Sequence, residues 1–304
     1  MFVQRKKNHS SYLLVALLFL IIIAFGAWLV WHDLLFNQNR TSQNPSSINN
    51  KVAISSRSLI GHNFIMSAKV LNEISANQAV FNRLKTDSIY VLISRKNPLT
   101  QQALKLDLIL TADYTSEASL QAAISHHTIS SSVKAILYDN EPWTYTPLVE
   151  QQNPLLYYQK AASLAHQNNY TFIATPVLKS KSDISFFTSI AKISNLIDIQ
   201  SQYDQAVASI YAGHVIPLAK AIKAANSKVI ILSGLSTNPA AGVPTVTQLI
   251  NDAKAVDHYV SGYWLNVPAL PAVCKINQTN SRNHYNGRCA GPQFPLAIKF
   301  LQNL

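Results

Sequence analysis

The chain has 304 residues, a formal net charge of +11, 48% hydrophobic residues and only 13% charged ones. That length suffices for one large domain with a sizeable core, and no linker after residue 57 divides it. The basic residues are scattered rather than stacked into a stripe and no nucleic-acid motif appears, so no nucleic-acid partner is expected.

Residues 1–10 form a basic tail that includes Arg5, Lys6 and Lys7, read as cytoplasmic. Residues 11–31, from Ser11 to Trp31, carry no charge and match roughly 30 Å of hydrocarbon as a helix, so they are read as a transmembrane signal anchor. No Lys or Arg follows until Arg40, which places the N-terminus inside and the rest of the chain outside the cell membrane as a single-pass protein. Trp28 and Trp31 suit the outer interface and Tyr12 the inner one. A cleaved signal peptide, cut near Ala24-Phe25-Gly26, is the alternative. Residues 32–57, rich in Asn, Ser and Gln, read as a polar linker.

Residues 58–304 alternate apolar strand-like runs with helical patterns. Eight strands are expected, at Phe64–Ser67, Ile89–Ile93, Leu106–Leu110, Val133–Tyr138, Thr171–Thr175, Leu196–Ile199, Val229–Leu232 and His258–Trp264. Helices are expected at Ser116–Ser125, Pro154–Gln167, Ile184–Ile193, Gln205–Ala225 and Val246–Ala255, with a last one from near Pro292 to Leu304. Eight such units predict an α/β fold of the (β/α)₈ TIM-barrel class, and the continuously apolar strands suit a sheet buried on both faces. A doubly wound sheet would want a glycine-rich loop after its first strand, where the sequence reads NFIMSAKVLN.

Barrel chemistry sits at the C-terminal ends of strands. Asp139 and Glu141 end strand four two residues apart, so extension points both the same way. Two neighbouring carboxylates raise one pKa, which suits Glu141 as a general acid with Asp139 orienting it; a helix-capping role is the plain alternative. Trp143, Tyr145, Tyr203, Tyr263 and Trp264 fall on strand ends or loops where sugar rings could stack. Asn140, Gln200, Gln202, Asn238 and Asn266 could bond hydroxyl groups there. Glu150 reads either as a second cleft acid or, more simply, as a solvated residue opening a helix.

The strand-four and strand-six endings resemble those of the chitinase-like glycoside hydrolases. In that family strand four carries Asp-x-x-Asp-x-Asp-x-Glu, strand six leads to Met-x-Tyr-Asp, and strand eight supplies a tryptophan beneath the sugar. The resemblance implies Glu141 as proton donor, Asp139 as the residue that positions the acetamido group, Tyr203 and Asp204 as the Tyr-Asp pair, and Trp264 as pocket floor. Substrate would be an N-acetylated glycan whose own carbonyl attacks. This chain departs from the family at Lys134, Leu137 and Ser201, which leaves an altered mechanism or an inactive site open.

Cys274 and Cys289 are the only cysteines; an exported compartment permits a disulfide between them, which would stabilise by roughly 3 kcal/mol. The segment between Pro268 and Pro292 that holds them should fold over the barrel mouth. No His-x-His or His-Glu-x-x-His spacing occurs, so neither a metal nor another cofactor is expected. Two functions compete: an extracytoplasmic hydrolase of a wall or extracellular glycan, and an inactive barrel binding glycan or a partner protein at the cell surface.

Overall fold

The computed structural model describes residues 61–177, 183–205, 207–239, 242–269 and 291–304. The apolar run 11–31, the linker, and Cys274 with Cys289 lie outside them. No helix of the described residues is long and apolar enough to cross a membrane.

Eight parallel strands close a barrel in sequential order: β1 (Asn63–Ser67), β2 (Ser88–Leu92), β3 (Leu108–Tyr114), β4 (Ala135–Tyr138), β5 (Thr171–Ala174), β6 (Leu196–Ile199), β7 (Ile230–Ser236) and β8 (Gly262–Asn266). The (β/α)₈ expectation is met, with several changes of boundary. β3 runs on to Tyr114, β7 runs on to Ser236, and His258 stands before β8 rather than in it.

The helices are α1 (Ala68–Ser75) and α2 (Gln78–Leu84) after β1, α3 (Glu117–Ser125) after β3, and α4 (Leu148–Gln152) and α5 (Pro154–Gln167) after β4. Then come α6 (Ile184–Ala191), α7 (Ala208–Ala225), α8 (Val246–Val256) and α9 (Phe294–Asn303). Between β2 and β3 there is only the 3₁₀ turn Ala103–Lys105. The starts follow from local chemistry. Ser67, Asn77 and Ser116 accept backbone N–H bonds as N-caps, and Thr245 with Gln248 forms a full capping box on α8.

Outward strand residues such as Phe64, Phe172 and Ile197 pack with Leu71, Tyr158, Phe187 and Phe300 of the helices in the main core. Each such buried side chain contributes about 2 kcal/mol of transfer free energy. Gly262 closes the ring: a Cβ there would lie 1.9 Å from the Asn63 carbonyl oxygen, so only glycine lets β8 reach β1.

Alternation and register sort the inward residues into layers drawn from alternate strands. At the bottom lie Tyr90, Ala135 and Leu196, then Ile65, Thr111, Ile173 and Leu232. Above them Leu92, Leu137 and Trp264 share a layer with Asp198, and above that come Asp113, Thr175 and Gly234. Asp139, Gln200 and Asn266 rim the top. The interior thus passes from apolar to carboxylate-rich towards the C-terminal ends of the strands.

Candidate functional site

The mouth opens as a cavity of about 580 Å³ lined by Asp139, Glu141, Trp143, Gln200, Gln202, Tyr203, Asn238, Trp264 and Asn266, among others. Nine of the residues singled out in the sequence therefore meet at one place. Asp139 faces inward from the end of β4, because its N–H still bonds the Tyr114 carbonyl at 2.9 Å and prolongs the extended pairing, and Glu141 lines the same cavity from the turn that follows. Asp139 Oδ1 accepts from Thr175 Oγ1 and from Gln200 Nε2, both at 3.0 Å. Gln200 Nε2 also donates to the Thr175 carbonyl at 2.8 Å, which fixes its plane.

Burial holds the Asp139 pKa well above the usual carboxylate range; the charges of Glu141 and Asp113 add to the rise, and the Thr175 and Gln200 hydrogen bonds oppose it. Glu141 is also pushed up by burial, against the Gln200 amide. Asp113 of β3 is a third carboxylate here, open to solvent in its recess yet crowded by protein on most sides. That crowding, with the Glu141 charge, pushes its pKa up to about 6. Three neighbouring carboxyls with raised pKa values hold their protons more tightly than free carboxyls do, so the mouth can both give and take a proton.

One layer below Asp113, Asp198 is fully buried, and neither carboxyl oxygen has a hydrogen-bond partner among the described residues. Burial alone drives its pKa well up, which favours the neutral acid. Sequence reading passed over both Asp113 and Asp198. A lone charged residue inside the apolar run LIDI was the available signal for Asp198. Asp113 was missed because strand three was ended at Leu110.

Other parts of the site are held in simple ways. Gln202 folds against β7 where a Cβ on Gly234 would lie 2.4 Å from its amide nitrogen, so that glycine makes room for it. Trp143 Nε1 donates to Thr146 Oγ1 at 3.1 Å, and Thr146 in turn donates to the Thr115 carbonyl at 2.8 Å. Tyr203 is 65% exposed beside the opening.

Several expected site residues lie elsewhere. Tyr263 is fully buried on the outer face of β8, its hydroxyl donating to the Ala253 carbonyl at 3.1 Å, because its parity is opposite to that of Trp264. Asn140 likewise faces outward and donates to Tyr138 Oη and the Glu150 carbonyl. Tyr145 does not line the cavity and packs edge-on against Trp143. Asp204 does not line it either and pairs with His214 of α7. Glu150 is neither a cleft acid nor solvated: it is 1% exposed, accepts from Tyr138 Oη at 2.6 Å and caps the start of α3 through Glu117 N–H at 2.8 Å. Among the described residues no group of His, Cys, Asp or Glu is arranged to hold a metal.

No protein-family model and no curated protein matches the chain. Solved structures do. Pyruvate carboxylase T882A from Rhizobium etli, crystallized without acetyl coenzyme-A, is 11% identical over 81% of this chain and 28% of its own, with a TM-score of 0.44. The carboxyl transferase domain of that enzyme with pyruvate and biocytin is 12% identical over 81% of this chain and 47% of its own, with a TM-score of 0.43. This chain spans less than half of either.

The kinship expected with chitinase-like glycoside hydrolases is not found: the structures named here are of pyruvate carboxylase and its carboxyl transferase domain, and the hydrolase label no longer has that kinship behind it. The residues agree. Lys134 precedes β4, Leu137 packs in the barrel interior, and Asp204 turns to His214, so the family's acidic series and Tyr-Asp pair are not assembled.

Proposed function

We propose that the barrel mouth is the catalytic centre of an acid–base enzyme acting on a wall or extracellular glycan. The observation that carries this reading is the placing of Asp139 and Glu141 side by side, inward, with raised pKa values, in a cavity walled by Trp143, Tyr203 and Trp264. Aromatic faces suit the C–H faces of sugar rings, and Gln200, Gln202, Asn238 and Asn266 supply amides for hydroxyl groups. Glu141, nearer the opening, donates its proton to the departing sugar oxygen, and the water that adds to the sugar carbon as that bond breaks returns a proton to Glu141. Asp139, fixed by Thr175 and Gln200, steadies the positive charge that develops. Residues 11–31 tether the protein as a signal anchor and place the barrel outside the cytoplasm.

The test offers the full-length protein a panel of wall and extracellular glycans and reads binding and released fragments by mass spectrometry. Fragments appear with one or more glycans under this reading. Saturable binding with no fragment from any of them would instead make the barrel a surface glycan-binding protein.

A further inference from the structure

The lining of the barrel mouth is acidic, whereas part of the opposite end is basic. The mouth gathers Asp113, Asp139 and Glu141, and no basic residue lines its cavity among the described residues. The opposite end, where helices finish and strands begin, carries an arc of exposed lysines on adjacent helices. Lys192 ends α6, Lys220 and Lys223 lie in the last turns of α7, Lys228 follows α7 and Lys254 lies in the last turn of α8. None has an ion-pair partner among the described residues; the pairs there are His62–Asp257, Arg83–Asp87 and His214–Asp204. Lysines at helix ends complement the helix dipole. That accounts for Lys223 and Lys254 but not for Lys220, a turn earlier, or for Lys228, in the connection to β7.

The arc also has shape. Lys220 and Lys223 border a recess of about 380 Å³ that includes exposed Tyr259. Lys220 Nζ stands 5.1 Å over the Tyr259 ring, and Lys223 Nζ is held by the Val229 carbonyl at 3.0 Å. The chain enters β1 at this same end, since β1 begins at Asn63 and pairs with the start of β8.

We propose that this basic end docks on an anionic phospholipid surface, with the mouth directed away from it. Exposed lysines supply the attraction and Tyr259 suits the headgroup region. The proposal rests on the tether reading of residues 11–31, which brings the barrel to a lipid surface.

The experiment reconstitutes the full-length protein into nanodiscs of phosphatidylcholine with and without phosphatidylglycerol and follows backbone hydrogen exchange. Residues 219–231 and 258–261 should exchange several-fold more slowly in the anionic discs. High salt and the Lys228→Glu/Lys254→Glu variant, checked for an unchanged melting temperature, should both abolish the effect. Equal exchange in the two discs overturns the proposal, as does protection by soluble polyphosphate that anionic lipid does not reproduce. Carbonate extraction distinguishes the two readings. A chain stripped from the membrane that still binds anionic vesicles in a salt-sensitive way refutes the tether alone. A chain that resists extraction but is indifferent to lipid charge refutes the docking face alone.

Discussion

The Gln200 amide, just after β6, donates to Asp139 Oδ1, just after β4, at 3.0 Å in the barrel mouth. This bond lowers the pKa of a carboxyl that burial and neighbouring charge push up. Gln200→Leu should therefore move the Asp139 titration midpoint further up. A ¹³C carboxyl titration by NMR reads the shift, and an unmoved midpoint would remove Gln200 from the account.

Asp198 makes stability depend on pH in a stated direction. Its carboxyl ionises near pH 4 in the unfolded chain but stays protonated in the fold, so the folded state binds the extra proton. Stability then falls as pH rises above about 4, with a slope of about 1.4 kcal/mol per pH unit for this group until its folded pKa is passed. Asp198→Asn should flatten that dependence and be more stable than wild type at neutral pH. Urea unfolding across a pH series checks both, and a variant with the wild-type slope would contradict the assignment.

Glu150 ties the outer face of β4 to the start of α3. Glu150→Ala leaves the Tyr138 hydroxyl and the Glu117 N–H without their buried acceptor. The expected loss is about 3 kcal/mol in unfolding free energy. A loss below about 1 kcal/mol would mean that water replaces the carboxylate.

Gly234→Ala should leave the fold intact while pushing the Gln202 side chain out of its place in the cavity. Glycan affinity is expected to fall by about tenfold, or 1.4 kcal/mol, with little change in melting temperature. Calorimetric titration distinguishes this from a general loss of folding.

Strands were easy to read because their burial on both faces gives continuous apolar runs such as AILY and TFIA. The site was legible where parity was applied, as for Asp139 and Glu141, and not where it was ignored. Tyr263 and Trp264 are adjacent in sequence yet lie on opposite faces of β8. Asp113 escaped because β3 turns polar, TADY, where its inward side chains enter the mouth. Glu150 was misread because its partners, Tyr138 and Glu117, come from other elements, and no local pattern announces a long-range cap.

The most direct test of the central claim compares wild type with Glu141→Gln on a glycan that the wild type binds, reading binding and product release side by side. The account predicts an affinity within a few-fold of wild type and a rate lower by about 10² to 10⁴, because the substitution keeps shape and removes only the proton. Equal product release by the two proteins would contradict it.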